Sequence, residues 1–423
     1  MNRAINILAS ILISSCLLAC QSETVRKDGK TTAEIISAPI TLEQSELIFD
    51  YAYPQVIMKI SQDVMFTVPF REKGRHNRFI HFKRLAGPKN QAVVLGNRNT
   101  HYSVGWVDLS HGPVIFEIPD MGNRYYVMPL LDGWTNTFES LGSRTTGQNP
   151  QKYLIVNSEW SGEVPDGIVK IVSPTNMVWI TGRIQADSPQ DSEAVAKLQD
   201  GLKLMPYAEY QGGETLHAQY KPGFKAIRVR KPVPYSLKMS PRAYYDTFFE
   251  MWPSNPSPMR DSVMLELMAK IGATPGIKSF ANLPPEAQDI LAMGLKSKQQ
   301  AYLDAFYSGS EQSEPWIFNL DPRMGNWENE YERRAYWGMW GLGTNIAKDA
   351  VYGVTQLDQE LNPLNGQNIY RVHFAPGTTP PTQAFWSVTL YDIDGYIEAN
   401  EYDRHALGSN HDLSYNPELD SGA

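Results

Sequence analysis

The sequence predicts an α+β protein, mainly β, built as two antiparallel β-sandwich or jelly-roll-like modules joined by a helical segment. Three observations carry that expectation. First, from Phe66 to Ile184 the chain is a series of short β-branched or aromatic runs, among them "VIFEIP", "RYYVMPLLD", "YLIVN" and "MVWITGRI". Gly-Pro, Asp-x-Gly and Pro-Asp-Gly punctuate them, and closely spaced strands without intervening helices suit a sandwich or barrel. Second, residues 240 to about 306 change to helical periodicity. Third, strand-like runs return after Tyr352 as "NIYRVHF", "AFWSVTLYD" and "YIEANEY".

The elements follow in chain order. "MNRAINILASILISSCLLAC" has a basic Arg3, an apolar stretch from Ile5 to Leu18 and a small residue before Cys20, the pattern of a secretory signal. Its apolar core is shorter than the ~20 residues that a membrane span needs. Leu17-Leu18-Ala19-Cys20 resembles the bacterial lipobox, so residues 1–19 are expected to be removed and Cys20 to carry lipid. Cys16 leaves with the signal, which excludes a disulfide within the mature chain. Removal of residues 1–19, with one Arg and no acid, takes 38 basic residues to 37 against 46 acids, a net charge of −9. An acidic chain without a basic cluster argues against nucleic acid as a partner. Gln21 after the cysteine favours the outer membrane in a Gram-negative envelope.

Residues 20–40 are polar and small and read as a flexible tether. Thr41 and Gln44 match a capping box that opens a helix, which Pro54 is expected to end or kink. Ser188-Pro189 is expected to open a second helix with Val195, Leu198 and Leu202 on one face. Ser240-Pro241 opens a third, with Tyr244, Phe248 and Met251 in a stripe read as core. Tyr331 to Tyr352 looks helical. The resulting division is a signal peptide at 1–19, the tether at 20–40, a β-rich module at 41–205, a helical connection at 206–330 and an incomplete β module at 331–423.

Chemical motifs are mostly missing. There is no G-x-S-x-G, H-E-x-x-H, paired CxxC or P-loop. The eight His are scattered, and neither His76 with His81 nor His405 with His411 has diagnostic metal spacing. "DIDGYIEANE" puts Gly395 at position four, where a calcium loop wants its glycine at six, so a tight turn is the expectation. No cofactor and no metal are expected. The 22 Tyr and 10 Trp suit sheet packing and ligand clefts alike.

The stretch "GNRNTHYSVGWVDLS" concentrates polar groups at the mouth of a strand. With period two, Thr100, Tyr102, Val104, Trp106 and Asp108 share one face. Asn97 and Asn99 precede them, where asparagine also serves simply to hold a turn. Downstream, Arg124 and "GSRTTG", with Arg144, Thr145 and Thr146, suit an anion or sugar hydroxyls, or else satisfy loop backbone. The candidate ligand-binding set is Asn97, Asn99, Thr100, Tyr102, Trp106, Arg124, Arg144 and Thr145. If hydrolysis occurs, Asp108, Asp132 and Glu139 are the titratable candidates; no catalytic set can be paired from sequence.

"NRNTHYSVGWVDLS", "GPVIFEIPDMGNRYYVMPLLDGWTNTFESLGSRTTG" and "SPTNMVWITGRI" resemble a bacterial family that pairs two modules, domains of unknown function twelve-fifty-four and twelve-fourteen. "RRAYWGMWGLGTNIAKDAVY", "NPLNGQNIYRVHF" and "PPTQAFWSVTLYD" are similar to its second module. The likeness runs from about Tyr53 to about Arg404 and implies two mainly β modules joined by helices, with no established reaction. The family's N-x-D-T-L-Y is met here by Asn97-Arg98-Asn99-Thr100-His101-Tyr102, so Asn99 stands where relatives have an acid, and an amide cannot ionise. The resemblance also implies further C-terminal strands, so the chain is expected to stop mid-domain.

The expected function is that of an exported, lipid-anchored envelope protein that binds or processes a small polar ligand, carbohydrate-like or anionic, in an aromatic-lined cleft. The alternative is a non-enzymatic structural or assembly protein. Whether it is an enzyme stays open, as does homo-oligomerisation. The partners expected are the membrane, through lipid on Cys20, and the small polar ligand.

Overall fold

The computed structural model describes residues 39–67, 76–89, 95–213, 231–308, 314–375, 377–392 and 395–411. Cys20 and nearly all of the tether lie outside them. The protein is α+β. Its first module is a two-sheet sandwich. Strands β1 (Phe79–Phe82), β2 (Thr100–Asp108), β3 (Val114–Ile118), β4 (Tyr126–Asp132), β5 (Thr137–Gly142), β6 (Gln151–Asn157), β7 (Val169–Ser173), β8 (Met177–Gln185) and β9 (Lys203–Pro206) follow in order. One sheet has the order β1-β2-β8-β4-β5 and the other β7-β6-β3-β9. Every pair is antiparallel except β6 with β7.

Strand alternation decides what each face does. The back face of the five-stranded sheet sends Val107, Tyr126, Met128, Leu130, Val178, Ile180 and Ile184 against Phe116, Tyr153, Ile155 and Leu204 of the other sheet. Each such fully buried side chain stabilises the fold by about 1.5–3 kcal/mol. Gly182 of β8 makes room for its neighbour in the same sheet, since a Cβ there would lie 2.2 Å from the Met128 sulfur of β4. The front face carries Tyr102, Val104 and Trp106 of β2 opposite Arg183, Thr181 and Trp179 of β8.

Helix α1 (Leu42–Thr67) opens with the capping box: the Gln44 amide N–H donates to Thr41 Oγ1, and the Thr41 N–H to Gln44 Oε1. Pro54 lies inside the helix and does not end it. Proline removes one helical hydrogen bond, and packing outweighs that loss, because residues 48–60 are buried without interruption. The buried stretch includes Asp50, paired with Lys298 and Tyr302, and Lys59, paired with Asp63, so α1 is enclosed on all sides as a core helix. Around it lie α3 (Pro241–Met251), α4 (Ser262–Lys270), α5 (Pro285–Ser308) and α6 (Tyr331–Trp340), in one cluster with Phe49, Tyr53, Tyr244, Phe248, Leu291 and Ala335. The Tyr244, Phe248 and Met251 stripe is core.

Three local expectations are corrected. Helix α2 (Ser192–Gly201) starts after Asp191, not at Ser188; the Ser188 hydroxyl instead accepts from the Asp191 N–H. Helix α6 stops at Trp340 rather than reaching Tyr352, because Gly341 breaks it and Gly343 follows at φ +80°. "NIYRVHF" forms no strand, and of "AFWSVTLYD" Ser387–Thr389 (β12) pairs with Ala406–Gly408 (β13), while Tyr391 makes an isolated bridge to Ile397. Ile317–Phe318 (β10) and Gly353–Val354 (β11) form a second small sheet. At Asp392, the carboxylate and carbonyl accept from the Tyr396 and Gly395 N–H groups; Ile393 and Asp394, at the centre of the expected turn, lie outside the described residues. Among the described residues, no helix is long and apolar enough to cross a membrane.

Candidate functional site: the front face of the five-stranded sheet

The front face has two walls. At the Trp106 end, Trp106 and Trp179 stack at 5.1 Å and 15° and pack against Met58 and Met65 of α1 and Leu342. At the other end, residues 343–352 cover Arg183. The Arg183 guanidinium donates to Tyr352 Oη at 2.6 Å and to the Gly343 carbonyl at 3.2 Å, and lies 5.4 Å from the Tyr102 ring. Gly343 also ties the two ends together, since a Cβ there would meet the Trp179 ring at 3.0 Å and the Thr181 methyl at 3.5 Å. Asn345 Nδ2 donates to the same Tyr352 hydroxyl at 3.5 Å.

Among the described residues, six buried polar atoms of this face have no hydrogen-bond partner: Thr100 Oγ1, Trp106 Nε1, Trp179 Nε1, Thr181 Oγ1, Arg183 Nε and Asn345 Oδ1. Folded proteins satisfy about nine in ten buried polar groups, and each one left bare costs about 1–3 kcal/mol.

The residues singled out in the sequence divide. Thr100, Tyr102 and Trp106 share this face. Asn97 forms an Asx turn, its Oδ1 accepting from the Asn99 N–H at 2.7 Å, while its own N–H donates to Tyr102 Oη. Asn99 is buried, with Oδ1 unpartnered and its carbonyl accepting from Ala186. The two arginines are already engaged. Arg124 makes a bidentate pair with Asp191 at 2.6 and 2.8 Å, and Arg144 one with Asp349 at 2.6 and 3.1 Å. Thr145 Oγ1 donates to the Ser140 carbonyl, so "GSRTTG" satisfies its own loop. Arg183 was missed by the sequence reading, although "MVWITGRI" carried the signal: Trp179, Thr181 and Arg183 alternate on one face.

The titratable candidates are spent on structure. Asp132 accepts from the Trp134 and Asn136 N–H groups and from Asn136 Nδ2, holding the turn in which Thr135 sits at φ +65°. Burial pushes its pKa up. Asp108 accepts from Ser110, and Glu139 from the Ser140 N–H. On the back face, His81 pairs with Ser103 Oγ at 2.9 Å, and His101 with Ser192 and Gln199, which seats α2 on the sheet. Ser103 is wholly buried there, unsuited to attack a substrate. A depression of about 230 Å³ lined by Leu109, Pro113, Asn157 and Trp160 lies at the far end of β2 from Arg183.

Residues 76–206, the sandwich, match the family model described as Protein of unknown function (DUF1254). Residues 349–420 match Protein of unknown function (DUF1214). The chain carries the two modules in that order. A crystal structure of the VPA0106 protein from Vibrio parahaemolyticus is similar in fold, with a TM-score of 0.59 and 20% identity over 87% of this chain and 83% of that one. A search of curated proteins finds no match.

Proposed function

We propose that the protein binds a small polar ligand on the front face of its five-stranded sheet, between α1 and residues 343–352. The observation that carries this is the set of six unpartnered buried polar atoms spread along the face from Thr100, past Arg183, to the Trp106–Trp179 pair. An apolar wall with a few convergent polar groups is the usual make-up of a small-molecule site. The face offers binding chemistry more readily than catalysis, because Asp108, Asp132 and Glu139 each already hold local structure. Leu17 to Cys20 supports an exported, lipid-anchored placement for this binding activity.

A thermal-shift panel of neutral sugars and small organic acids tests the proposal on wild type and on Trp179→Phe, which keeps a ring and loses the N–H. A ligand at 100 times its Kd adds about 2.7 kcal/mol, so a clear rise in Tm is expected, smaller in the variant. The competing reading is an inter-module contact surface, favoured by the Arg144–Asp349 and Arg183–Tyr352 contacts. It prevails if no compound shifts wild type and a crystal structure shows ordered water on all six atoms.

A further inference from the structure

We infer that the ligand of this face is a small hydroxycarboxylate carrying a single negative charge, of the sugar-acid type, with Arg183 as its counter-ion. The inference rests on the binding site proposed above and names what that site takes.

Arg183 differs from the arginines around it. Arg124 faces Asp191, Arg144 faces Asp349, and Arg78 faces Glu209. Arg183 meets only neutral oxygens, the Tyr352 hydroxyl and the Gly343 carbonyl. Among the described residues it forms no ion pair. Arg183 is part-buried with its Nε enclosed, and a charge drawn partly out of water gains from an opposite partner; among the described residues the chain supplies none. Guanidinium has five N–H donors, and the two contacts to Tyr352 and Gly343 use two of them. The Nε–H is buried and unspent. Nη2 carries a second N–H beyond the one spent on Gly343, and an Nε–H beside an Nη2 N–H is the fork that grips a carboxylate by two parallel bonds.

The rest of the face sets the class. Trp106 and Trp179 contribute indole N–H groups, which only donate, and both lack an acceptor. Donors thus outnumber acceptors, as an oxygen-rich anion requires. One unpaired guanidinium balances one carboxylate; a phosphate dianion would leave a net negative charge buried. Asn345 Oδ1 is an unpartnered acceptor, and Thr100 and Thr181 have unpartnered hydroxyls. An acceptor needs a donor on the ligand, and a hydroxyl supplies it. Carboxylate and hydroxyls together describe a uronic or aldonic acid better than a neutral sugar or a fatty acid.

Titration calorimetry of the full chain with glucuronate, glucose, inorganic phosphate and acetate tests this. Glucuronate is expected to bind most tightly, acetate more weakly, and glucose at least tenfold more weakly than glucuronate. Arg183→Gln is expected to weaken glucuronate at least tenfold while leaving glucose unchanged. A second variant guards against misfolding. Asn345→Asp puts a carboxylate into the loop over Arg183 at constant size, and is expected to raise Tm and abolish glucuronate binding. If glucose matches glucuronate and Arg183→Gln changes neither, the hydroxycarboxylate class is wrong and the polar-ligand site stands. Tighter binding of phosphate than of glucuronate likewise overturns the class alone. No binding by any of the four overturns the class, and the thermal-shift panel then decides separately whether the site survives. An Asn345→Asp protein that binds glucuronate as wild type does also overturns it.

Discussion

At the scale of single residues, burial sets the behaviour of the ionisable groups. Burial brings the His81 pKa down to about 4, helped by the Lys83 charge and opposed by Asp200. His81 is therefore neutral in the fold, while the unfolded chain takes up a proton near pH 6.5. Stability from this group is present above pH 6.5 and lost as pH falls toward 4. Urea titrations of wild type and His81→Asn across that window are expected to show a steeper acid loss in wild type; parallel curves would refute it. Arg334 is a second case. It is wholly buried among Tyr51, Trp134 and Tyr331, its three nitrogens make no hydrogen bond among the described residues, and its Asp261 partner is 3.9 Å away. Removing one partner of a buried pair costs about 3–5 kcal/mol, whereas removing both is often neutral. Arg334→Met is expected to lose that much in chemical unfolding, and Arg334→Met with Asp261→Asn to recover a large part.

At the scale of elements, the caps and breaks of the helices carry the geometry of the binding face. Residues 341–343 turn the chain out of α6 and lay the Gly343 backbone over Trp179 and Thr181. Its φ of +80° costs a residue with a Cβ about 1–2 kcal/mol, and the 3.0 Å approach to Trp179 adds to that. Gly343→Ala is expected to lower Tm by several degrees and to weaken ligand binding together. A variant that melts like wild type would mean that the turn does not hold this face. By contrast, Ser240→Ala removes the cap that accepts from the Ala243 N–H. It should cost about 1 kcal/mol and leave ligand binding untouched, because the cap is at the opposite end of α3 from Met251, the residue that packs with Trp106 and Trp179.

For the whole molecule, the question is how the C-terminal module is held on the sandwich. Asp349 accepts from Arg144 and Ser140, Tyr125 Oη donates to the Asp349 carbonyl, and Tyr391 Oη donates to the Gly96 carbonyl. Leu95 N–H donates to Gly395 at 2.8 Å, so the "GNRNT" mouth of β2 is itself part of the docking surface. Arg144 is about a third exposed, so its pair contributes modestly to overall stability. Arg144→Ala is expected to leave the melting temperature nearly unchanged while hydrogen exchange quickens around Asp349 and Tyr352. Unchanged exchange there would show that the other contacts suffice. Attachment to a membrane is a separate matter for Cys20. Cys20→Ser is expected to block incorporation of labelled fatty acid and leave uncleaved precursor, and continued labelling would end the lipoprotein proposal.

Local pattern determined much of this protein. The capping box at Thr41 and Gln44, the alternation along β2 and β8, the helical stripe of Tyr244 and Phe248, and the pairing of the two family modules are written in neighbouring residues. Each depends on backbone geometry that a few adjacent side chains decide. The central place of α1 was not legible, because thirteen successive buried residues and an internal proline give no clear period. Nor could spacing tell which arginine lacks a partner. Arg124, Arg144 and Arg183 look alike in sequence; their carboxylates, where they have them, stand 67 and 205 residues away at Asp191 and Asp349. Charge compensation acts through space over a few ångströms, and only the folded chain sets those distances. The tertiary structure therefore decided that Arg183 faces neutral oxygens, the Tyr352 hydroxyl and the Gly343 carbonyl, while Arg124 and Arg144 face carboxylates.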